Sequence, residues 1–278
     1  MNCIFTIDIE DWFHILDIPS APPFTEWDKL PSRVEKNYYR LLNIFSEKNI
    51  KATCFFLGWI AEKYPHLVTE SVSRGHEIAS HGYGHKLVFE MSEKEFSDDA
   101  VKSKKIIEDI SGQEVLGYRS AGFSITEKCP WFFDVLIRCG YEYDSSVFPA
   151  RRGHGGIKTA NKAPHLIETP SGKLIEFPIS VSKIWGRRMC FFGGGYLRLF
   201  PERLINKMAG NVLLDNWPVI FYIHPRDIDP EQPRLPMNFY RRFKSYVNLR
   251  GMENKINSLL DRHSWITMNE YIKREVIQ

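Results

Sequence analysis

No run of about 20 apolar residues occurs in the sequence, and the N-terminus lacks a basic region followed by an apolar stretch. The expectation is therefore a protein with neither membrane span nor signal peptide, working in the cytoplasm. Disulfide chemistry is also poorly served: the five cysteines, Cys3, Cys54, Cys129, Cys139 and Cys190, are odd in number, form no Cys-x-x-Cys pair and sit mostly among apolar neighbours. They read as reduced core thiols. A large excess of one charge sign is missing, since 37 Lys and Arg face 34 Asp and Glu and basic residues occur only in short pairs. That excludes a composition-based case for nucleic-acid binding and favours small or neutral partners. Internal repeats and low-complexity tracts are absent. What remains is an ordinary globular composition over 278 residues, 43% hydrophobic and 26% charged.

The most informative stretch is the first. Ile4-Phe5-Thr6-Ile7 is an apolar run suited to a buried parallel strand, and it stops at Asp8-Ile9-Glu10-Asp11. Three carboxylates in four residues repel one another unless a cation or a basic side chain neutralises them. The C-terminal end of a first strand is also where α/β folds bind ligands. A Pro- and aromatic-rich loop from Pro19 to Pro31 follows. Ser32 with Glu35 then reads as a capping box for a helix bearing Val34, Tyr38, Leu41, Leu42 and Phe45 on one face. Strands are expected at Lys51–Leu57, His76–Ser80, Val115–Tyr118, Tyr141–Asp144 and Val219–Ile223. Helices are expected from about Ile60 to Arg74, from Ser92 to Gly112, from Pro130 to Cys139 and from Pro201 to Leu214. Residues 150–217 interrupt this βαβ rhythm with glycines and a hairpin around Ser171-Gly172. We read them as an insertion within a single domain, 1–278, in which 225–278 forms a C-terminal extension. Its last elements are a helix over about Met252–Asp261 and a closing strand at Trp265–Met268.

Chemistry-bearing residues recur just after these strands. His81 and His85 are four apart, but Gly82 and Gly84 point to an irregular turn rather than a helix. Two imidazoles and one carboxylate would leave open positions for water and substrate on a divalent metal. Strand alternation puts Asp8 and Glu10 on one side, and either Glu10 or Asp11 remains open as the third ligand. Arg119, Asp144 and His224 complete a set: a carboxylate base, an Arg beside it, a His acid and an Asp to orient that His.

These residues, in this order, resemble the NodB-homology polysaccharide deacetylases of the carbohydrate esterases. Thr6-Ile-Asp8 followed by Glu10-Asp11 is similar to that family's Thr-Phe-Asp-Asp motif with its second Asp displaced. Ser80-His81-Gly-Tyr-Gly-His85 matches its metal motif, Arg119-Ser-Ala-Gly-Phe123 its Arg-Pro-Pro-Tyr-Gly motif, and Tyr222-Ile223-His224 its Leu-x-His motif. The stretches Asp8–His14, Gly193–Arg198 and His224–Arg234 resemble an exopolysaccharide-locus branch with a C-terminal extension. The resemblance implies a distorted (β/α) barrel of about seven strands. It also implies metal-dependent N-deacetylation of an N-acetylated sugar in polysaccharide or glycoconjugate biosynthesis. Zinc is the expected metal, with Co2+, Ni2+, Mn2+ or Fe2+ as substitutes. Asp8 is implied as base, held by Arg119, and His224 as acid, oriented by an Asp such as Asp144. Tyr196 and Arg198 are expected to contact substrate. Arg151, Arg152, Arg187, Arg188 and Arg198 are expected to meet a pyrophosphate if the sugar is nucleotide- or lipid-linked. Two other readings stand beside this one. One is a non-catalytic carbohydrate-binding protein using Phe191, Phe192 and Tyr196 as a platform; the other is an amidohydrolase of a small non-sugar amide.

Overall fold

Apolar residues on both faces bury β1 (Asn2–Ile9) from Cys3 onward. In a computed structural model, which describes residues 2–150, 155–184 and 186–275, the chain continues through α1 (Val34–Glu47), β2 (Thr53–Phe56), α2 (Gly58–Lys63), α3 (Pro65–Ser73), β3 (Glu77–Ser80), α4 (Glu93–Ser111), β4 (Gly117–Tyr118), α5 (Phe132–Arg138) and β5 (Tyr143–Asp144). Then come β6 (His165–Thr169), β7 (Gly172–Glu176), β8 (Val181–Ile184), β9 (Arg187–Cys190), α6 (Gly194–Leu199), α7 (Glu202–Leu213) and β10 (Val219–Ile223). The chain ends in α8 (Phe239–Tyr246), α9 (Met252–Arg262), β11 (Ser264–Ile266) and α10 (Met268–Glu275).

The sheet runs β10-β1-β2-β3-β4-β5-β7-β6. Its first seven strands pair in parallel, and β6 and β7 form the antiparallel hairpin foreseen at Ser171-Gly172. This is the α/β, distorted-barrel architecture expected, with the distortion localised. Among the described residues no strand pair joins β7 back to β10. Ser180 spans the gap instead, its hydroxyl accepting from the Ile220 amide at 2.9 Å. Strand alternation divides the core accordingly. Cys3, Phe5, Ile7 and Ile9 pack outward with Tyr38, Leu41 and Phe45 of α1. Ile4 joins Phe55, Ala79, Tyr143, Phe177, Ile220 and Tyr222 inside.

Three local expectations change. The helix foreseen from Ile60 to Arg74 is two helices, because Pro65 opens α3 and Tyr64 before it leaves helical geometry. Ser32 does not cap α1; its hydroxyl bonds Asp11 at 2.6 Å, and the Asp11 carboxylate receives the Arg33 and Val34 amides at that helix start. The expected closing strand, β11, pairs with Asn2–Ile4 of β1, at the end of that strand where β2 has not yet begun.

Parallel pairing carries Glu10, His81, Arg119 and His224 to the same end of the sheet. Beneath them Asp144 and Glu176 lie opposite each other on β5 and β7, both fully buried. Burial pushes Asp144 up to about 6. Burial and then the Asp144 charge push Glu176 well above the usual carboxylate range. The native state thus retains a proton that the unfolded chain releases, so this stabilisation is present at low pH and is lost as pH rises through about 6. Glu176→Gln keeps an acceptor for the Val147 amide and supplies a permanent donor toward Asp144. Urea unfolding at about pH 5 and about pH 7 should show a stability loss in the parent that shrinks in the variant. An unchanged difference would show that no proton is shared there.

Candidate active site

The carboxylate and the two histidines converge. Glu10 Oε1 lies 2.9 Å from His81 Nε2 and 2.8 Å from His85 Nε2, and all three residues are buried. His81 Nδ1 stands 2.8 Å from the Arg119 carbonyl. A carbonyl only accepts, so Nδ1 carries the hydrogen, and Nε2 is the ring atom that faces Glu10. Two imidazole nitrogens that face one carboxylate oxygen can share a cation with it. Two imidazoles and one carboxylate make a donor set suited to zinc and similar divalent ions, and these residues fit such an ion. Burial pushes Glu10 up, but the His85 and His224 charges and the bonds to His81 and His85 outweigh it, holding the carboxyl well below its usual range.

The turn that presents the histidines is irregular, as the two glycines implied. Gly82 (φ 71°) and His85 (φ 52°) both take left-handed geometry. Asp99 of α4 holds the turn, accepting from the Tyr83 amide at 2.7 Å and the Gly84 amide at 2.9 Å. Nothing in the sequence singled Asp99 out; its only local signal is an acidic residue within an amphipathic helix.

Of Glu10 and Asp11, Glu10 is the one that lies beside the two histidines. Asp11 caps the short turn Trp12–His14 and bonds Ser32, Arg33 and Val34, which turns its carboxylate away from the histidines. His14 of the same stretch packs against Trp27, its ring 5.8 Å from that of His85. Its Nδ1 accepts from the Asp11 amide at 3.0 Å.

Asp8 shares the inward face of β1. Its Oδ1 receives Arg119 Nη1 at 2.7 Å, while its Oδ2 lies 3.9 Å from His224 Nε2. Arg119 is completely buried: it also donates to Thr6 Oγ1 at 2.7 Å and Ser145 Oγ at 2.9 Å, and it lies 4.1 Å over the Phe55 ring.

The Asp beside His224 is not Asp144. That residue accepts from Ser146 and faces Glu176, on the far side of Arg119's strand. His224 Nδ1 instead meets Asp227 Oδ2 at 3.1 Å, through a turn begun by Pro225. Burial works against ionisation of Asp227, yet the Arg198 and His224 charges hold it well below the usual carboxylate range. His224 is raised: burial opposes the proton, but Glu10 and then Asp227 outweigh it. The partner position is legible in His224-Pro-Arg-Asp227 only once that segment is known to turn back on itself.

Arg198 is likewise not placed for substrate. It is buried, pairs with Asp227 Oδ1 at 3.1 Å and donates to the Ser245 carbonyl at 2.6 Å. The glycine run makes this possible: a Cβ on Gly194 would lie 1.9 Å from Asp227 Oδ2, and one on Gly193 2.1 Å from Tyr222 Cζ. Tyr196 is half-buried and stacks near Phe200, with 6.3 Å between ring centroids. Phe191 and Phe192 are fully buried and form no surface platform. Arg188 donates to the carbonyls of Lys158 and Ala160, at 2.9 and 2.8 Å, whereas Arg151 and Arg152 lie outside the described residues.

The geometry separates the two acidic neighbours experimentally. Replacing His81 and His85 together with Ala should abolish binding of one divalent ion per chain, measured by elemental analysis. Asp11→Ala should keep the ion while lowering stability by about 2 kcal/mol in urea unfolding, through loss of the α1 and turn caps. Metal lost from Asp11→Ala but kept by the histidine double variant would reverse the assignment.

Comparisons with known proteins bear on the same elements. A family model described as polysaccharide deacetylase matches residues 24–143, and a domain of unknown function, DUF3473, matches 145–273. A peptidoglycan deacetylase of Helicobacter pylori is 30% identical over 108 residues, covering 39% of this chain and 36% of the relative. A peptidoglycan-N-acetylglucosamine deacetylase of Bacillus cereus is 33% identical over 73 residues, 26% of each chain. The matches thus span about a third or less of those relatives. In overall fold the chain is similar to a Mycobacterium smegmatis structure provisionally described as a polysaccharide deacetylase, with a TM-score of 0.68 at 17% identity over 100% of this chain and 90% of that one. It is also similar to Puue allantoinase, at 0.61 and 18% over 98% and 89%. A Bacillus anthracis CE4-family pseudoenzyme follows at 0.51 and 12% over 97% and 64%. A barrel shared by hydrolases and a pseudoenzyme identifies architecture and leaves activity to the site. The family model places residues 24–143 among the polysaccharide deacetylases, and the relatives and the fold agree with that placement.

Proposed function

We propose that the chain is a metal-dependent hydrolase that removes the acetyl group from an N-acetylated sugar of a polysaccharide, glycoconjugate or their precursors. The observation that carries this reading is the convergence of Glu10, His81 and His85 between two differently supported proton-transfer groups, Asp8 with Arg119 and His224 with Asp227. The named activities of the H. pylori and B. cereus relatives point the same way.

A divalent ion held by Glu10, His81 and His85, zinc by its donor set, would polarise the acetamido carbonyl and acidify a bound water. Asp8 takes the proton of the attacking water on Oδ2, since Arg119 occupies Oδ1. His224 has Nδ1 committed to Asp227, so Nε2 is the atom that gives a proton to the departing amine. The Asp227 carboxylate beside Nδ1 favours the protonated form that this step needs. Arg198 acts one step back: its charge keeps Asp227 an anion, and Asp227 fixes the His224 ring.

Acetate release from N-acetylglucosamine oligomers, nucleotide-linked N-acetylhexosamine and a small amide such as allantoin tests the reading. Activity should be confined to the sugars. Asp8→Asn and His224→Ala should each lower kcat by about 100-fold or more with metal content unchanged. Turnover of allantoin alone would replace the sugar reading with an amidohydrolase. Full metal loading without acetate release would leave a binding protein.

Arg198→Ala is predicted to lower kcat on the amide by about tenfold or more with little change in KM. An aryl acetate, whose phenolate leaves without a proton, should be hydrolysed nearly as before, and Arg198→Lys should recover part of the amide activity. Equal losses on amide and ester would reduce Arg198 to a structural role.

A further inference from the structure

From Gln232 to Met252 the chain contains no carboxylate and five cations: Arg234, Arg241, Arg242, Lys244 and Arg250. At its centre α8 buries none of its residues. Phe239 is 85% exposed, Tyr240 70% and Phe243 46%, an unusual concentration of large apolar surface on one short helix. Phe239, Phe243, Tyr246 and Val247 follow helical spacing and line a shallow groove together with Arg234 and Arg242. The Arg234 guanidinium lies 4.8 Å from the Tyr246 ring, and the Lys244 ammonium 5.3 Å from the Tyr240 ring. Aromatic anchors and cations therefore share one face, with no acidic residue in the segment to neutralise them.

We propose that α8 docks the protein onto an anionic phospholipid bilayer. Aromatic rings that insert at headgroup depth, flanked by cations facing lipid phosphates, are the chemistry of an interfacial helix. A neutral glycan would use the rings but gives no reason for so many cations in a segment without a carboxylate.

The position of the helix gives docking a consequence. Arg198, the partner of Asp227, donates to the carbonyls of Lys244, Ser245 and Val247 at the end of α8. Arg241 donates to the Leu16 carbonyl, two residues beyond His14. The helix is thus tied to two segments that build the site, and a bilayer held there brings sugars carried at lipid headgroups near it. That consequence rests on the deacetylase reading, whereas docking itself does not.

Sedimentation of the full chain with vesicles tests it. Binding is expected to phosphatidylcholine containing about 30% phosphatidylglycerol, to fall with salt, and to be weak on phosphatidylcholine alone. Arg242→Gln with Lys244→Gln should lower partitioning roughly 25-fold, at about fivefold per cation. Phe239→Ser with Phe243→Ser should lower it by about tenfold or more. Thermal unfolding should be unchanged in both variants, since these side chains support no core. Acetate release from a water-soluble oligosaccharide should also be unchanged, so that docking and catalysis are read in separate assays. Equal binding to both vesicle compositions, absent binding, or variants that bind like the parent would overturn the proposal. Retention on neutral glycan beads that is lost in the Phe variant, without vesicle binding, would assign the face to carbohydrate instead.

Discussion

The ion pair between Arg119 and Asp8 is the contact on which the site depends. Arg119 is wholly buried, and its guanidinium reaches Thr6 and Asp8 on β1 and Ser145 just after β5. A single side chain thereby sets the spacing of three strands at the end where the chemistry lies. Such a pair adds little net stability over an apolar substitute, because removing both charges from water offsets most of their attraction. Breaking it is another matter, costing about 3–5 kcal/mol by leaving one charge buried alone. The arrangement is better explained by what it does to Asp8. One oxygen is occupied, the other faces His224, and rotation of the carboxylate would sacrifice the pairing.

The rest of the site follows the same rule: each residue placed for chemistry is held by one that is not. Asp99 fixes the left-handed turn that aims His81 and His85 at Glu10. Asp227 holds His224, and Arg198 holds Asp227. These supports come from α4, from the turn after β10 and from α6, so the strand ends supply the groups proposed to react and the helices and loops supply their orientation. Such a division suits a parallel sheet, whose strand ends are rigid but whose connecting segments can differ.

The glycine run before α6 shows how tight this support is. Gly193 and Gly194 leave no room for a side chain against Tyr222 and Asp227. The close approach puts Arg198 within reach of Asp227 and, through backbone carbonyls, connects the site to α8. A segment that reads as an insertion is thus part of the wall behind His224.

Much of this protein was legible from local pattern. The order of strands, the hairpin at Ser171-Gly172 and the helix opened by Ser92 depend on neighbours within a few residues, and periodicity and turn chemistry report them directly. The recurrence of Asp8, His81, Arg119 and His224 at or just after strand ends was equally visible, and parallel pairing then put them at one end. What the tertiary structure alone decided were the partnerships across the chain. Glu10 and Asp11 are adjacent and chemically alike; only the partners of Asp11, Ser32 to Val34, reveal that it caps a helix. Asp144 and Asp227 are both acidic residues at strand ends, and strand register sends the first to Glu176 while a proline-led turn sends the second to His224. Arg198 and the Phe191-Phe192 pair looked like surface chemistry, yet packing buries all three. A side chain's partner depends on where distant segments meet, and that is fixed by register, turn direction and burial of the folded chain rather than by sequence neighbours.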